Sequence, residues 1–212
     1  MQATRHKLLR LTEWTSWTFG LVGLAWWGTF QAGGAMTTKS DVERFAALRN
    51  VVIEAPAPDQ SLWSPESVTA WRKALQSPAA APVAVLRIAK LRLEVAVLPG
   101  TDDLTLDRAV GLIEGTSAPD SSGNIGIAGH RDSFFRGLKD IAPGDLIELV
   151  SMRDTVVYRV EQTWIVDPSD VSVLDPTETR ALTLVTCYPF YFVGPAPRRF
   201  IVRAVPAGGV AS

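Results

Sequence analysis

A chain with one cysteine and two histidines offers few places for nucleophilic or acid–base chemistry, and each can be weighed singly. Cys187 closes the apolar run LTLVTC, and His130 sits in GNIGIAGHRD, while His6 lies close to the N-terminus. Taken alone, Cys187 reads as a core residue, because unpaired cysteine is among the most buried residue types. His130 alone reads as an ordinary surface or capping imidazole. Together they carry more. A lone cysteine and a lone histidine, far apart in the chain, fit thiol catalysis, in which a thiolate attacks and an imidazole steadies it or moves protons. Such a reaction also needs a donor for the tetrahedral oxyanion. Arg198 and Arg199 follow Cys187 after a Pro- and Gly-rich loop and open the apolar run FIVRA. A neighbouring strand can set either guanidinium beside the thiol; the plain alternative is a solvated charge at a strand start. Thr186, next to the cysteine, is a candidate for a hydrogen bond to substrate or oxyanion.

Composition excludes several other chemistries. One cysteine permits no intrachain disulfide and no cysteine-based zinc site, and two histidines cannot supply a three-histidine metal site. Twenty-one basic residues against 22 acidic ones, for a formal charge of −1, provide no general field for nucleic acid. Asp102, Asp103, Asp167 and Asp170 lack the spacing of a calcium loop, so no metal or cofactor is expected. Asp132, two residues past His130, is assigned to its local turn.

The elements that must position these residues begin at Val83. Runs with period-two alternation occur at 83–88, 93–98, 124–129, 146–150, 156–163, 182–186 and 200–204, separated by turn residues such as Pro99-Gly100. The spacing over 106–113 is helical. Many short strands and little helix predict a barrel or a sandwich, spanning 83–206 with a tail at 207–212. At 212 residues and 47% hydrophobic, the chain has room for one such domain and one additional segment.

That segment is 14–35, WTSWTFGLVGLAWWGTFQAGGA, which contains no Asp, Glu, Lys or Arg. A membrane-crossing helix needs about 20 mainly apolar residues. Arg5, Lys7 and Arg10 precede the run and only Lys39 follows closely, which predicts a cytoplasmic 1–13 and an exported remainder. A cleaved signal peptide and a buried soluble helix are the rival readings. Residues 36–82, with prolines at 56, 58, 65, 78 and 82, read as an extracytoplasmic spacer that contains a helix beginning at Ser64-Pro65-Glu66.

TLVTC followed by a loop and RRFIVRA resembles the C-terminal half of a sortase active site, and NIGIAGHRDSFFRGL resembles the histidine-bearing strand and loop of the same family. The resemblance covers residues 83–206 with a signal-anchor layout in front, and is strongest to class D, in forms from Gram-negative bacteria. It implies a mostly β fold, a closed eight-stranded barrel with short helices behind one N-terminal transmembrane helix. It implies a membrane-anchored cysteine transpeptidase of the bacterial cytoplasmic membrane. Cys187 would cleave a C-terminal Leu-Pro-x-Thr-Gly-like signal of an exported protein through a thioacyl enzyme. His130 would exchange protons with the departing and incoming amines, and an arginine would steady the oxyanion. The acceptor would be an amine, such as one from a cell-wall precursor, or water. It further implies that the loop 166–180 helps to form the sorting-signal groove.

Strand parity chooses between the arginines. Side chains alternate between faces, so Phe200, Val202 and Ala204 share the inner face and Arg199 falls on the outer one with Ile201 and Arg203. Cys187 shares the outer face with Thr183 and Val185, and His130 lies opposite Ile125 and Ile127. An outer-wall groove therefore collects Cys187, His130 and Arg199. Two other functions share much of this pattern. A purely hydrolytic exported cysteine peptidase would use the same nucleophile, and a non-enzymatic tethered β-domain would bury an inert Cys187.

Overall fold

The computed structural model describes residues 57–191 and 194–208. The expected helix over 14–35, the cytoplasmic 1–13 and most of the tail 207–212 lie outside these residues. Among the described residues, no helix is long and apolar enough to cross a membrane.

Eight strands close into a barrel: β1 (Ala84–Ile88), β2 (Leu93–Pro99), β3 (Val110–Leu112), β4 (Asn124–Ala128), β5 (Leu146–Ser151), β6 (Thr155–Val166), β7 (Ala181–Tyr188) and β8 (Arg198–Pro206). The order around the barrel is β1-β2-β3-β4-β7-β8-β6-β5, returning to β1. The pairs β2/β3 and β4/β7 are parallel; the others are antiparallel. Closure follows from the alternation. Ala84, Leu86 and Ile88, Ile125 and Ile127, Ile147 and Leu149, Tyr158 and Val160, Leu182 and Leu184, Val202 and Ala204 all point into one continuous core. Each fully buried aliphatic side chain contributes roughly 1.5–3 kcal/mol relative to exposure, so a slip of one residue in any strand would be costly.

The helical spacing over 106–113 resolves differently. The helix α2 runs Asp103–Arg108, earlier than the periodicity suggests, because the Asp102 carboxylate caps it by accepting from Thr105 N–H. Ala109 is extended, and the next three residues form β3 instead. Gly111 permits this: a Cβ there would lie 2.1 Å from the Gly100 carbonyl oxygen. Strand pairing on both sides of β3 overrides a short local helical signal.

The described part of the expected spacer is packed against the domain. Ser64 caps the helix α1 (Pro65–Ala74) by accepting from Ser67 N–H, with Pro65 at its first position. Trp63 meets Trp71 edge-on at 6.1 Å and Phe134 at 4.7 Å. Arg108 donates to the carbonyls of Ala74 and Ser77 at 3.1 and 2.8 Å. Two tryptophans are too much apolar surface to leave in water, so α1 braces α2 and the loop after His130.

Candidate active site

Cys187 and Arg199 are direct partners in the antiparallel β7/β8 ladder. Side chains of such a pair lie on the same face of the sheet. Arg198 is opposite Tyr188, on the other face, so the parity that favoured Arg199 is the parity observed. On the far side of β7, the parallel register ends at Ala128 opposite Val185, and Gly129 N–H donates to the Val185 carbonyl at 3.2 Å. Carried two residues further, that register sets His130 abreast of Cys187. Cys187 and Arg199 thus share one face at one end of the β7/β8 ladder, and His130 lies two residues past the end of β4 on the other side of β7. Cys187 and Arg199 are half-buried.

The turn that carries His130 is held from several sides. Its carbonyl accepts from Phe135 N–H at 3.1 Å, and Phe135 is fully buried. Gly129 is needed by Phe135: a Cβ at 129 would lie 2.8 Å from that ring. Ser64 N–H donates to the Asp132 carbonyl at 3.1 Å, which ties the turn to α1. Thr186 has a different place from the one expected. It points inward, is 2% exposed, and its hydroxyl donates to the Gly129 carbonyl at 2.7 Å. Its hydrogen bond serves the His130 turn.

His130 Nε2 lies 3.5 Å from Asp107 Oδ1, both side chains being partly exposed. Asp107 is on α2, remote in sequence from His130, and no spacing rule marked it. A carboxylate here can orient the ring, although a partly solvated pair is worth little in stability.

The loop between β6 and β7 packs on the outer face of β4 and β8. Asn124, almost fully buried, donates to the carbonyls of Val173 and Asp175, each at 3.1 Å, and accepts from Thr183 Oγ1 at 2.6 Å. Arg203 Nη2 donates to the Val173 carbonyl at 2.9 Å. Burial holds the Arg203 guanidinium below the ordinary arginine value. Gly126 brings β4 close beneath this loop, since a Cβ there would lie 3.1 Å from Leu174 Cδ2. Asp102, Asp167 and Asp170 accept hydrogen bonds from Thr105, Ser169 and Ser172 in their own turns. The first two carboxyls lie below the ordinary aspartate value because of those bonds.

A thiol with an imidazole on one side and a guanidinium on the other can attack a carbonyl, pass protons and steady an oxyanion. A family model described as the sortase domain matches residues 86–207. Sortase D of Bacillus subtilis is 37% identical over 119 residues, 56% of this chain and 60% of that relative, so the match spans under two thirds of the relative's length. The sortase E1 structure from Streptomyces coelicolor, solved with a tripeptide in its active site, is 31% identical with TM-score 0.54, covering 61% of this chain and 91% of that one. The Clostridium perfringens sortase D5 structure shares the fold at 23% identity and TM-score 0.58, covering 80% of this chain and 99% of that one.

Proposed function

The chain belongs to the sortase family, most similar to class D, and on that premise we propose that it is a cysteine transpeptidase acting on exported proteins with a C-terminal LPxTG-like signal. The observation that carries the reading is the register itself: Arg199 faces Cys187 across one ladder, and His130 follows the strand on its other side.

The Cys187 thiolate attacks the scissile carbonyl, and the Arg199 guanidinium receives the oxyanion. As the tetrahedral adduct collapses, the C–N bond breaks and protonated His130 gives its proton to the departing amine. A thioester on Cys187 remains. The acceptor amine then loses a proton to His130 and attacks the thioester carbonyl. A new amide bond forms and the thiolate leaves. With water as acceptor the product is the free acid. Asp107 holds the imidazole in place through both proton transfers. The residues 14–35 anchor the enzyme in the cytoplasmic membrane, with 1–13 inside and the barrel outside, as their charge asymmetry favours. The acceptor is proposed to be an amine from a cell-wall precursor.

Mass spectrometry of a sorting-signal peptide, with and without an amine acceptor, tests the reaction. Expected are a thioester on Cys187, and an amide product only when the amine is present. Product in the Cys187→Ala variant, or only free acid at high amine concentration, overturns transpeptidation. His130→Ala should cost ~10²–10⁴-fold, as for the loss of a general acid–base. Arg199→Lys should cost ~10²–10³-fold, because Lys keeps the charge but loses the planar fork. Arg198→Lys should retain activity; the reverse result would move the role one residue back.

A further inference from the structure

The loop joining Cys187 to Arg199 is clamped from the opposite side of the site. Arg131, the residue after His130, donates from Nη1 to the Pro189 carbonyl at 3.2 Å and from Nη2 to the Gly194 carbonyl at 2.9 Å. Arg136, five residues later, donates to the Phe190 carbonyl, and its guanidinium lies 4.2 Å from the centroid of the Tyr191 ring. Tyr191 is 73% exposed, so the stack is on the surface. Phe190 is buried and packs against Tyr188 and Phe200 at 6.0 and 5.3 Å. The far end of the same loop holds Arg199, whose Nη1 donates to the Ala196 carbonyl at 3.3 Å and to the Arg198 carbonyl at 3.1 Å.

We propose that Arg131 and Arg136 are positioning residues that fasten the β7–β8 loop to the His130 loop and thereby set where the Arg199 guanidinium stands relative to Cys187. The path is continuous: Arg131 holds Gly194, and two residues on Ala196 holds Arg199. A bidentate guanidinium suits this task because it spans two carbonyls with a rigid fork. Without the clamp, a loop containing Gly194, Pro195 and Pro197 is fixed mainly at its Phe190 end. Arg199 then samples positions from which it cannot meet the oxyanion. Since an oxyanion donor acts in the transition state, the loss appears in kcat rather than in KM.

This inference rests on the proposed transpeptidase function only for its kinetic arm. The test uses the full chain carrying Arg131→Gln with Arg136→Gln, and separately Arg131→Lys and Arg136→Lys. Hydrogen exchange of the backbone over 189–197 should quicken by about tenfold or more, the scale of losing at least one net hydrogen bond. Exchange in β1 and β5 should be unchanged. With a sorting-signal peptide, kcat should fall by about tenfold while KM stays within about twofold, the lysine variants falling between. Unchanged loop exchange in all variants overturns the clamp, as does faster loop exchange with unaltered kcat. If the double variant fails to fold, the same two criteria apply to the lysine variants. A wild-type chain that leaves the peptide intact overturns the function, while loop exchange still decides the clamp.

Discussion

Replacing Asn124 by Ala should loosen the loop over 167–180 and cost the domain about 3 kcal/mol. Asn124 is 1% exposed and makes three hydrogen bonds, two as donor and one as acceptor. The substitution does not strand every partner. The Val173 carbonyl keeps Arg203 Nη2 at 2.9 Å. The Thr183 hydroxyl, fully buried, and the Asp175 carbonyl lose their donor or acceptor. Two stranded groups at ~1–3 kcal/mol each, eased by movement of an exposed loop, give the figure above. For a domain of this size that corresponds to a fall in Tm of roughly 6–12 °C. Urea unfolding followed by tryptophan fluorescence measures it directly. The sharper part is a double-mutant cycle. Thr183→Val in the wild-type background strands the Asn124 side-chain oxygen Oδ1 and should destabilise. In the Asn124→Ala background it removes a stranded hydroxyl and should restore about 1 kcal/mol. On the proposed function, the loosened groove wall should raise KM for the sorting peptide more than it lowers kcat. A loss under about 1 kcal/mol, or a Thr183→Val effect of the same sign in both backgrounds, would refute the hydrogen-bond reasoning.

Gly129→Ala should destabilise by ~1–3 kcal/mol, because its Cβ would meet the buried Phe135 ring at 2.8 Å and Val110 Cγ1 at 3.0 Å; a neutral result in chemical denaturation would show that the His130 turn has room to shift. Tyr158→Phe should be neutral or up to ~1 kcal/mol stabilising, since the fully buried hydroxyl has no hydrogen-bond partner and burial pushes its pKa to about 12; a clear loss of stability would reveal a partner. Asp154 is opposed by burial, but hydrogen bonds from Arg180 and Ser151 hold its carboxyl below the ordinary value of 3.8. A depressed folded-state pKa contributes stability above the unfolded value that is lost as pH falls through the folded one. Unfolding at a series of pH values below 3.8 should therefore show a shallower acid loss in Asp154→Asn than in wild type; parallel curves would remove Asp154 from the acid transition.

Much of the site was legible because strand parity is a local, two-residue property. One cysteine and the alternating runs beside it sufficed to put Cys187 and Arg199 on one face, and the β7/β8 register shows that pairing, while His130 follows two residues after the end of β4. The same alternation marked the strands of the barrel apart from β3, whose three residues are too few for a period to show. Thr186 was misplaced by adjacency to Cys187, although parity alone assigns it to the opposite face, where its hydroxyl serves Gly129.

What the tertiary structure alone decided depends on contacts between segments far apart in the chain. Asp107 reaches His130 because α2 is braced by α1, and α1 docks because Trp63 and Trp71 find Phe134 and each other. No pattern in the sequence marks Arg131 or Arg136, yet closing the barrel brings the Cys187 loop within reach of both. A one-dimensional pattern carries which face a side chain takes, because backbone geometry repeats it every second residue. It does not carry which distant carbonyl or carboxylate that face will meet, because packing and barrel closure set those distances.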